Sequence, residues 1–245
     1  IQRAAEWIVG MQSKSGGWAA FDADNEYYLL EHMPFADHGA LLDPPSADVT
    51  ARCVSFLAQI GYDRSNVTIV SGINYLKREQ QQNGSWFGRW GCNYTYGTWS
   101  ALSALNIAGE DMSAPYIKRS TDWLLSTQHQ DGGWGESCDT YLDKFEDEKP
   151  DKPFTMSLPS QTAWALLALM AAGHHESSEV GRGIQFLTKA CTDSGDWDEN
   201  YFNAVGFPRV FYLHYHGYHL YFPLLALSRY RYLNKTKSNC LVFGL

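Results

Sequence analysis

No stretch of this 245-residue chain is apolar for long enough to cross a bilayer. The longest apolar run, Ala163 to Gly173, falls well short of the roughly 18 to 20 residues that a spanning helix needs. Positive charge is scarce too: 19 Lys and Arg stand against 27 Asp and Glu, a net charge of −8. A surface that tracks phosphate backbones carries the opposite sign, so no nucleic-acid partner is expected. Cysteine is sparse and badly spaced for its structural uses. The five residues, Cys53, Cys92, Cys138, Cys191 and Cys240, lie at least 39 positions apart, contain no CxxC pair and are odd in number. This spacing argues against a disulfide framework or a Cys-based zinc site, and for a reducing compartment. Sequons at Asn66, Asn93 and Asn234 come without a signal peptide and are expected to be chance. The chain opens at Ile1 inside a helix-like pattern, with no initiator Met and no N-terminal cap, so a segment of a longer protein is expected. What is present, 44% hydrophobic and 15% aromatic residues, suits a globular protein with a large core.

Aligned on itself, the chain shows a repeat. Trp7…Gln12…Trp18, Tyr75…Gln80…Trp86, Trp123…Gln128…Trp134 and Phe186…Cys191…Trp197 share the same spacing, five residues and then six. A glycine precedes each final Trp by two positions, at Gly16, Gly84, Gly132 and Gly195. The physical reading is a staple for a helix C-terminus. The aromatic faces the core, Gln bonds orphan carbonyls of the last turn, Gly permits the reversal and Trp packs over the end. Apolar helix candidates lie between the staples, at Ala47 to Ile60, Gly97 to Ala108, Ser160 to Ala172 and Gly217 to Tyr232. Repeated helix pairs that cannot bury both faces alone stack into a solenoid or a closed ring. Uneven Trp spacings of 68, 48 and 63 residues favour a ring with long loops at one end, an all-α (α/α) toroid or barrel. A six-pair ring needs more helices than this chain contains, so it is expected to be incomplete.

Several long segments carry a family resemblance: GGWAAFDADN, PFADHGALLDPPSADVTAR, YLKREQQQNGSWFGRWGCNYTYGT, PSQTAWALLAL and GFPRVFYLHYHGY. Through them the chain resembles the C-terminal half of the squalene-hopene cyclases, class II triterpene cyclases. The four repeats look like that family's QW motifs, the fourth with Cys191 where Gln is usual. The resemblance covers residues 1–232, taken as one barrel domain, and leaves 233–245 as a tail. It implies a metal-free and cofactor-free isomerase of two (α/α) barrels, attached to one cytoplasmic-side membrane face and not secreted, with a homodimer as an expected assembly. Its substrate is squalene or a related linear triterpene, cyclised after an Asp of a DxDD motif protonates the terminal alkene. This chain has only Asp22-Ala-Asp24-Asn25, directly behind the first QW Trp, where loop or cap carboxylates are expected. The acid is therefore expected outside this chain, and the isolated segment is expected to be inactive.

Carried over position by position, the resemblance implies two groups of site residues. Asp43, Asp48, Arg52 and Tyr96 fall where the family supports its acid. Arg52 stands where some members have His and, being always charged, cannot relay a proton. The plain alternatives are a turn carboxylate at Asp43 and an i,i+4 pair of Asp48 with Arg52 on a solvated helix face. The substrate-facing group is Phe21, Phe35, Trp90, Phe207, Phe211, Tyr215 and Tyr218. Phe21 lacks the hydroxyl of the Tyr common there. The last four recur at intervals of four, four and three, one face of a helix, a pattern more often found in a core. Structural QW residues are Gln12, Trp18, Gln80, Trp86, Gln128, Trp134 and Trp197. His214, His216 and His219 lack HExxH and a neighbouring carboxylate, so no metal is expected. Residues 141–153 read as an acidic surface loop. A sugar-binding (α/α) barrel and a noncatalytic helical-repeat module for a lipid or protein are the competing functions; the QW spacing lends the sugar reading no support, and a segment of a longer protein is compatible with the noncatalytic module.

Overall fold

The computed structural model describes residues 1–27, 29–30, 41–142 and 154–236. Phe35 and most of the acidic stretch, 143–153, lie outside the described residues, as does 237–245. Among the described residues eight α-helices run in chain order: α1 (Gln2–Gly10), α2 (Ala47–Gln59), α3 (Val67–Glu79), α4 (Tyr94–Ile107), α5 (Pro115–Ser126), α6 (Pro159–Ala171), α7 (Ser178–Ala190) and α8 (Tyr218–Thr236). A short 3₁₀ helix, Cys138–Tyr141, precedes α6, and a two-stranded antiparallel hairpin, β1 (Ala204–Phe207) and β2 (Phe211–Leu213), precedes α8.

Even-numbered helices form an inner row in which α2 packs on α4, α4 on α6 and α6 on α8, and α3, α5 and α7 lie against that row. Composition separates the two layers. All thirteen residues of α6 are buried, from Pro159 to Ala171, because helices pack on it from every side. Outer α7 buries only Val180, Gly183 and Leu187, a single stripe. Starts are set locally: Pro115 and Pro159 occupy first turns, while Asn66 and Ser177 cap α3 and α7 by accepting from the Thr68 and Val180 N–H groups. The sequon residue Asn66 is thus a helix cap, and Asn93 is fully buried with its amide on Thr140 and its carbonyl oxygen on the Gly88 N–H.

The staple works differently from the expectation in one respect. The Trp indole, not Gln, donates to a carbonyl near the C-terminal end of its own helix: Trp18 to Ile8 O (2.7 Å), Trp86 to Leu76 O (2.7 Å), Trp134 to Leu124 O (2.8 Å) and Trp197 to Leu187 O (2.8 Å). Gln reaches outward instead. Gln12, Gln80 and Gln128 each donate to the carbonyl of the turn glycine and to a first-turn carbonyl of the next outer helix, at Thr68, Tyr116 and Glu179. A third bond ties the layers together, from the Trp backbone N–H to a threonine of the inner helix: Trp18 to Thr50, Trp86 to Thr98 and Trp134 to Thr162. Gly84 is held at φ +97°, with the Arg119 carbonyl oxygen only 2.5 Å from where a Cβ would sit, so the turn admits no side chain. Cys191, which follows α7, has no further outer helix to grip among the described residues, and its thiol touches only the Thr192 carbonyl.

The expected helical stripe Phe207, Phe211, Tyr215, Tyr218 is corrected. Phe207 ends β1, Phe211 begins β2, Tyr215 lies in the following turn and only Tyr218 is helical. Pro208 and Arg209 reverse the chain: Val210 N–H donates to Phe207 O, and Arg209 takes φ +69°, which fits a type II turn with proline at its second position. Cys53, Cys92, Cys138 and Cys191 are free thiols, and the buried sulfurs of Cys92 and Cys138 meet at 2.8 Å.

Candidate active site

Three segments converge on one face: the loop after the second staple, the hairpin and the first turn of α2. Trp90 O accepts from Val205 N–H, and Gly91 bridges Ala204, so the loop forms a further antiparallel step beside β1. Asp48, in the first turn of α2, joins from the other side by accepting the Trp90 N–H at 2.8 Å. Its carboxylate also accepts from the Ser46 hydroxyl (2.6 Å) and the Val49 N–H (3.1 Å). Asp48 is only 2% exposed, and this burial pushes its carboxyl above the usual range although all three donors pull it down.

Arg52 does not form the surface ion pair with Asp48 that i,i+4 spacing allows. Its guanidinium lies over the Trp99 ring at 4.3 Å and the Tyr96 ring at 5.7 Å, because that side of α2 faces the aromatic residues of α4. The Tyr96 hydroxyl, pushed up by burial, hydrogen-bonds with Arg52 and Tyr218. Around it the rings of Trp99, Trp164, Tyr218 and Phe222 meet edge to face at centroid distances of 5.0 to 6.0 Å, with Trp99 and Trp164 stacked at 6.1 Å. Asp43 belongs elsewhere. It accepts from the N–H groups of Ala20, Phe21 and Asp22, and so fixes the loop that presents Phe21. Asp22 and Asp24 are exposed loop residues, Asp22 bonded to Asn25 and Asp24 ion-paired with Lys14 at 3.5 Å.

Of the substrate-facing candidates, the structure brings Phe21, Trp90, Phe207, Phe211, Tyr215 and Tyr218 into two linked runs. Phe21 sets its edge against Trp90 at 6.0 Å, and Phe207 meets Phe211 at 5.4 Å. Tyr215 meets Tyr218 at 5.1 Å, which connects that pair to Tyr96. Phe21 is 72% exposed, Phe211 43% and Tyr215 47%, so their rings stand open while the residues that position them are buried. Buried Asn203 secures the second run by accepting from Tyr215 N–H and donating to Tyr215 O, while its own carbonyl accepts from Cys92 N–H.

Sequence reasoning missed Trp99, Trp164 and Phe222, although Tyr96 with Trp99 (i,i+3) and Tyr218 with Phe222 (i,i+4) are legible helix-face pairs. It also missed a carboxylate two positions after the Trp in the last two staples. Glu136 accepts from the Tyr94 and Thr95 N–H groups at the start of α4, and Glu199 from the Ser160 N–H and hydroxyl at the start of α6. A separate cavity of about 500 Å³, lined by residues including Tyr94, Trp123, His129 and Glu136, contains none of the open rings. His214 stacks on His219 at 5.4 Å, and among the described residues no three His, Cys, Asp or Glu are arranged to hold a metal ion.

Asp48 has a pH signature. Its folded pKa is raised, so between the unfolded value and the folded one the native state holds a proton that the unfolded chain has lost, and stability falls as pH rises through that window. Asp48→Asn removes this dependence. The stability of the variant relative to the parent is therefore expected to rise with pH above about 4, by at most about 1.4 kcal/mol per pH unit. Urea unfolding at successive pH values checks this, and a constant difference would mean that Asp48 does not titrate as described.

The matches to known proteins agree with this fold. The family model for the squalene-hopene cyclase C-terminal domain matches residues 1–232. A probable squalene-hopene cyclase of Sinorhizobium fredii is 56% identical over 96% of this chain and 36% of its own length. The squalene-hopene cyclase of Zymomonas mobilis is 51% identical over 99% of this chain and 36% of its own. This chain thus spans about a third of the length of these two relatives. Among solved structures, the type II terpene cyclase MstE from Scytonema superposes with a TM-score of 0.59 at 20% identity, over 85% of this chain and 54% of the other, a likeness of fold. The chain belongs to the squalene-hopene cyclase family and corresponds to its C-terminal domain.

Proposed function

We propose that this chain supplies one wall of the cavity in which a full-length cyclase converts squalene to a pentacyclic triterpene. One observation carries the reading: open π faces at Phe21, Phe211 and Tyr215 are held by a buried scaffold that includes Asp48. A carbocation paired with a nucleophile is trapped, whereas an aromatic face stabilises it through its quadrupole and forms no bond. In this reading Trp90, Phe207 and Phe211 face successive cations, and Tyr96, Tyr218 and Arg52 form the polar network behind them. The protonating acid comes from the remainder of the protein, since Asp22 and Asp24 are engaged in an exposed loop. A hydrocarbon substrate also places the full protein at a membrane surface.

The test uses purified full-length protein and the 245-residue chain in parallel, each with squalene in detergent. The full-length protein is expected to form a pentacyclic product in the presence of a strong chelator, and the chain alone to form none. Product from the isolated chain, or loss of the full-length activity on chelation, would overturn the reading.

A further inference from the structure

Arg89 is a charged side chain that contacts two rings of the open aromatic wall, Trp90 and Phe207. Its guanidinium lies 4.2 Å from the centre of the Trp90 ring and 6.0 Å from that of Phe207. One of its nitrogens donates to the Gly206 carbonyl at 3.1 Å. No carboxylate is in ion-pair contact with it among the described residues; burial lowers its pKa, and the field of Asp48, with a smaller one from Asp43, acts in the opposite direction. The position of that carbonyl matters. Pairing between β1 and β2 loses register between Val205 and Phe207, a β-bulge centred on Gly206. Bulges break the ladder and re-aim the side chains beside them. Here those side chains are Phe207 and, across the hairpin, Phe211, whose ring packs so closely over Gly206 that an added Cβ would fall 2.0 Å from it. Backbone bonds already tie Trp90 to Val205, and Arg89 extends that attachment across the bulge.

We propose that Arg89 is a positioning residue for cyclisation, holding the Gly206 bulge so that the Phe207 and Phe211 faces keep a fixed distance from Trp90. This rests on the cyclase function proposed above and adds a determinant of product outcome. A flat guanidinium suits the task, since it stacks on rings and donates in its own plane at once. It touches no reacting atom. Its removal leaves every aromatic in place chemically while freeing the strand that aims two of them, so the effect falls on the steps these rings serve and not on capture of the substrate chain.

Arg89→Met keeps the apolar stem and removes the charge and the donor. Arg89→Lys keeps the charge and a donor for Gly206 but loses the flat stacking. In the full-length protein with squalene, the Met variant is expected to lower kcat roughly tenfold with KM within about twofold, since small misplacements of catalytic groups carry penalties of this order. The share of incompletely cyclised product should rise severalfold, and the Lys variant should shift the same way by less. A crystal structure of either variant should show the Phe207 and Phe211 rings displaced by on the order of 1 Å. If both folded variants give the parental product proportions, with at most a lower Tm, Arg89 only stabilises the fold and the proposal is wrong. Should the Met variant fail to fold, the Lys variant decides by the same criterion. If the parent leaves squalene unconverted, the functional reading fails, and the ring positions in the variant structure still settle the role of Arg89: unmoved rings overturn it.

Discussion

Trp86→Ala is expected to destabilise this fold by about 3 to 5 kcal/mol from lost burial alone, with about 1 to 3 kcal/mol more for the Leu76 carbonyl left without its donor. Trp86 has no measurable exposure, and its indole N–H closes the end of α3. A domain stable by some 5 to 15 kcal/mol loses much of its margin in one substitution. Gln80→Ala should cost less, about 1 to 3 kcal/mol, because it removes the link from Gly84 to Tyr116 but creates no large cavity. Cys191→Gln should be close to neutral, since its thiol has only a weak partner to lose. Urea unfolding of the three variants, followed by far-ultraviolet circular dichroism, ranks them. Equal losses for Trp86→Ala and Gln80→Ala would contradict the division of labour within the staple, in which the indole closes its own helix and the amide joins the next.

In the full-length protein, Phe211→Ala is expected to release products with fewer rings or an unexpanded ring, while Phe211→Tyr stays mostly competent because the π face persists. A cation over an aromatic face gains about 0.5 to 2 kcal/mol, so late steps should slow by roughly 2- to 30-fold. The structure sharpens the experiment. Phe211 begins a largely half-buried strand and is itself 43% accessible, so its truncation costs about 1 kcal/mol of stability, not the several expected of a core helix position. A changed product spectrum at nearly unchanged Tm is then the signature. An unchanged spectrum with reduced yield and a clearly lowered Tm would return Phe211 to a purely structural role.

Phe207, Phe211, Tyr215 and Tyr218 recur at helical intervals, yet Val205, Phe207, Phe211 and Tyr212 also favour strands, and Pro208 can start either a helix or a turn. Pairing of this stretch with the Trp90 loop, more than a hundred residues away in sequence, resolves the ambiguity, and no local window contains that partner. Arg52 follows the same logic. Spacing pairs it with Asp48, but the approach of α4 offers it two aromatic faces and turns it inward.

What the amino-acid order determined by itself was the repeat and its consequences: four aromatic-glycine-tryptophan staples, apolar helices between them, and an (α/α) arrangement with the staples at the ends of outer helices. These follow from interactions within about a dozen residues, such as the indole reaching back ten positions to its own helix, and so leave a periodic trace. Tertiary structure alone decided which neighbour each staple glutamine grips, 36 to 56 positions on, and that Asp43 orders a loop while Asp48 is buried against Trp90. It also decided that the hairpin leaves the Phe211 ring partly exposed. The physical reason is that burial and partner choice depend on which segments meet, and a carboxylate or an aromatic ring carries no mark in sequence of the surface it will face.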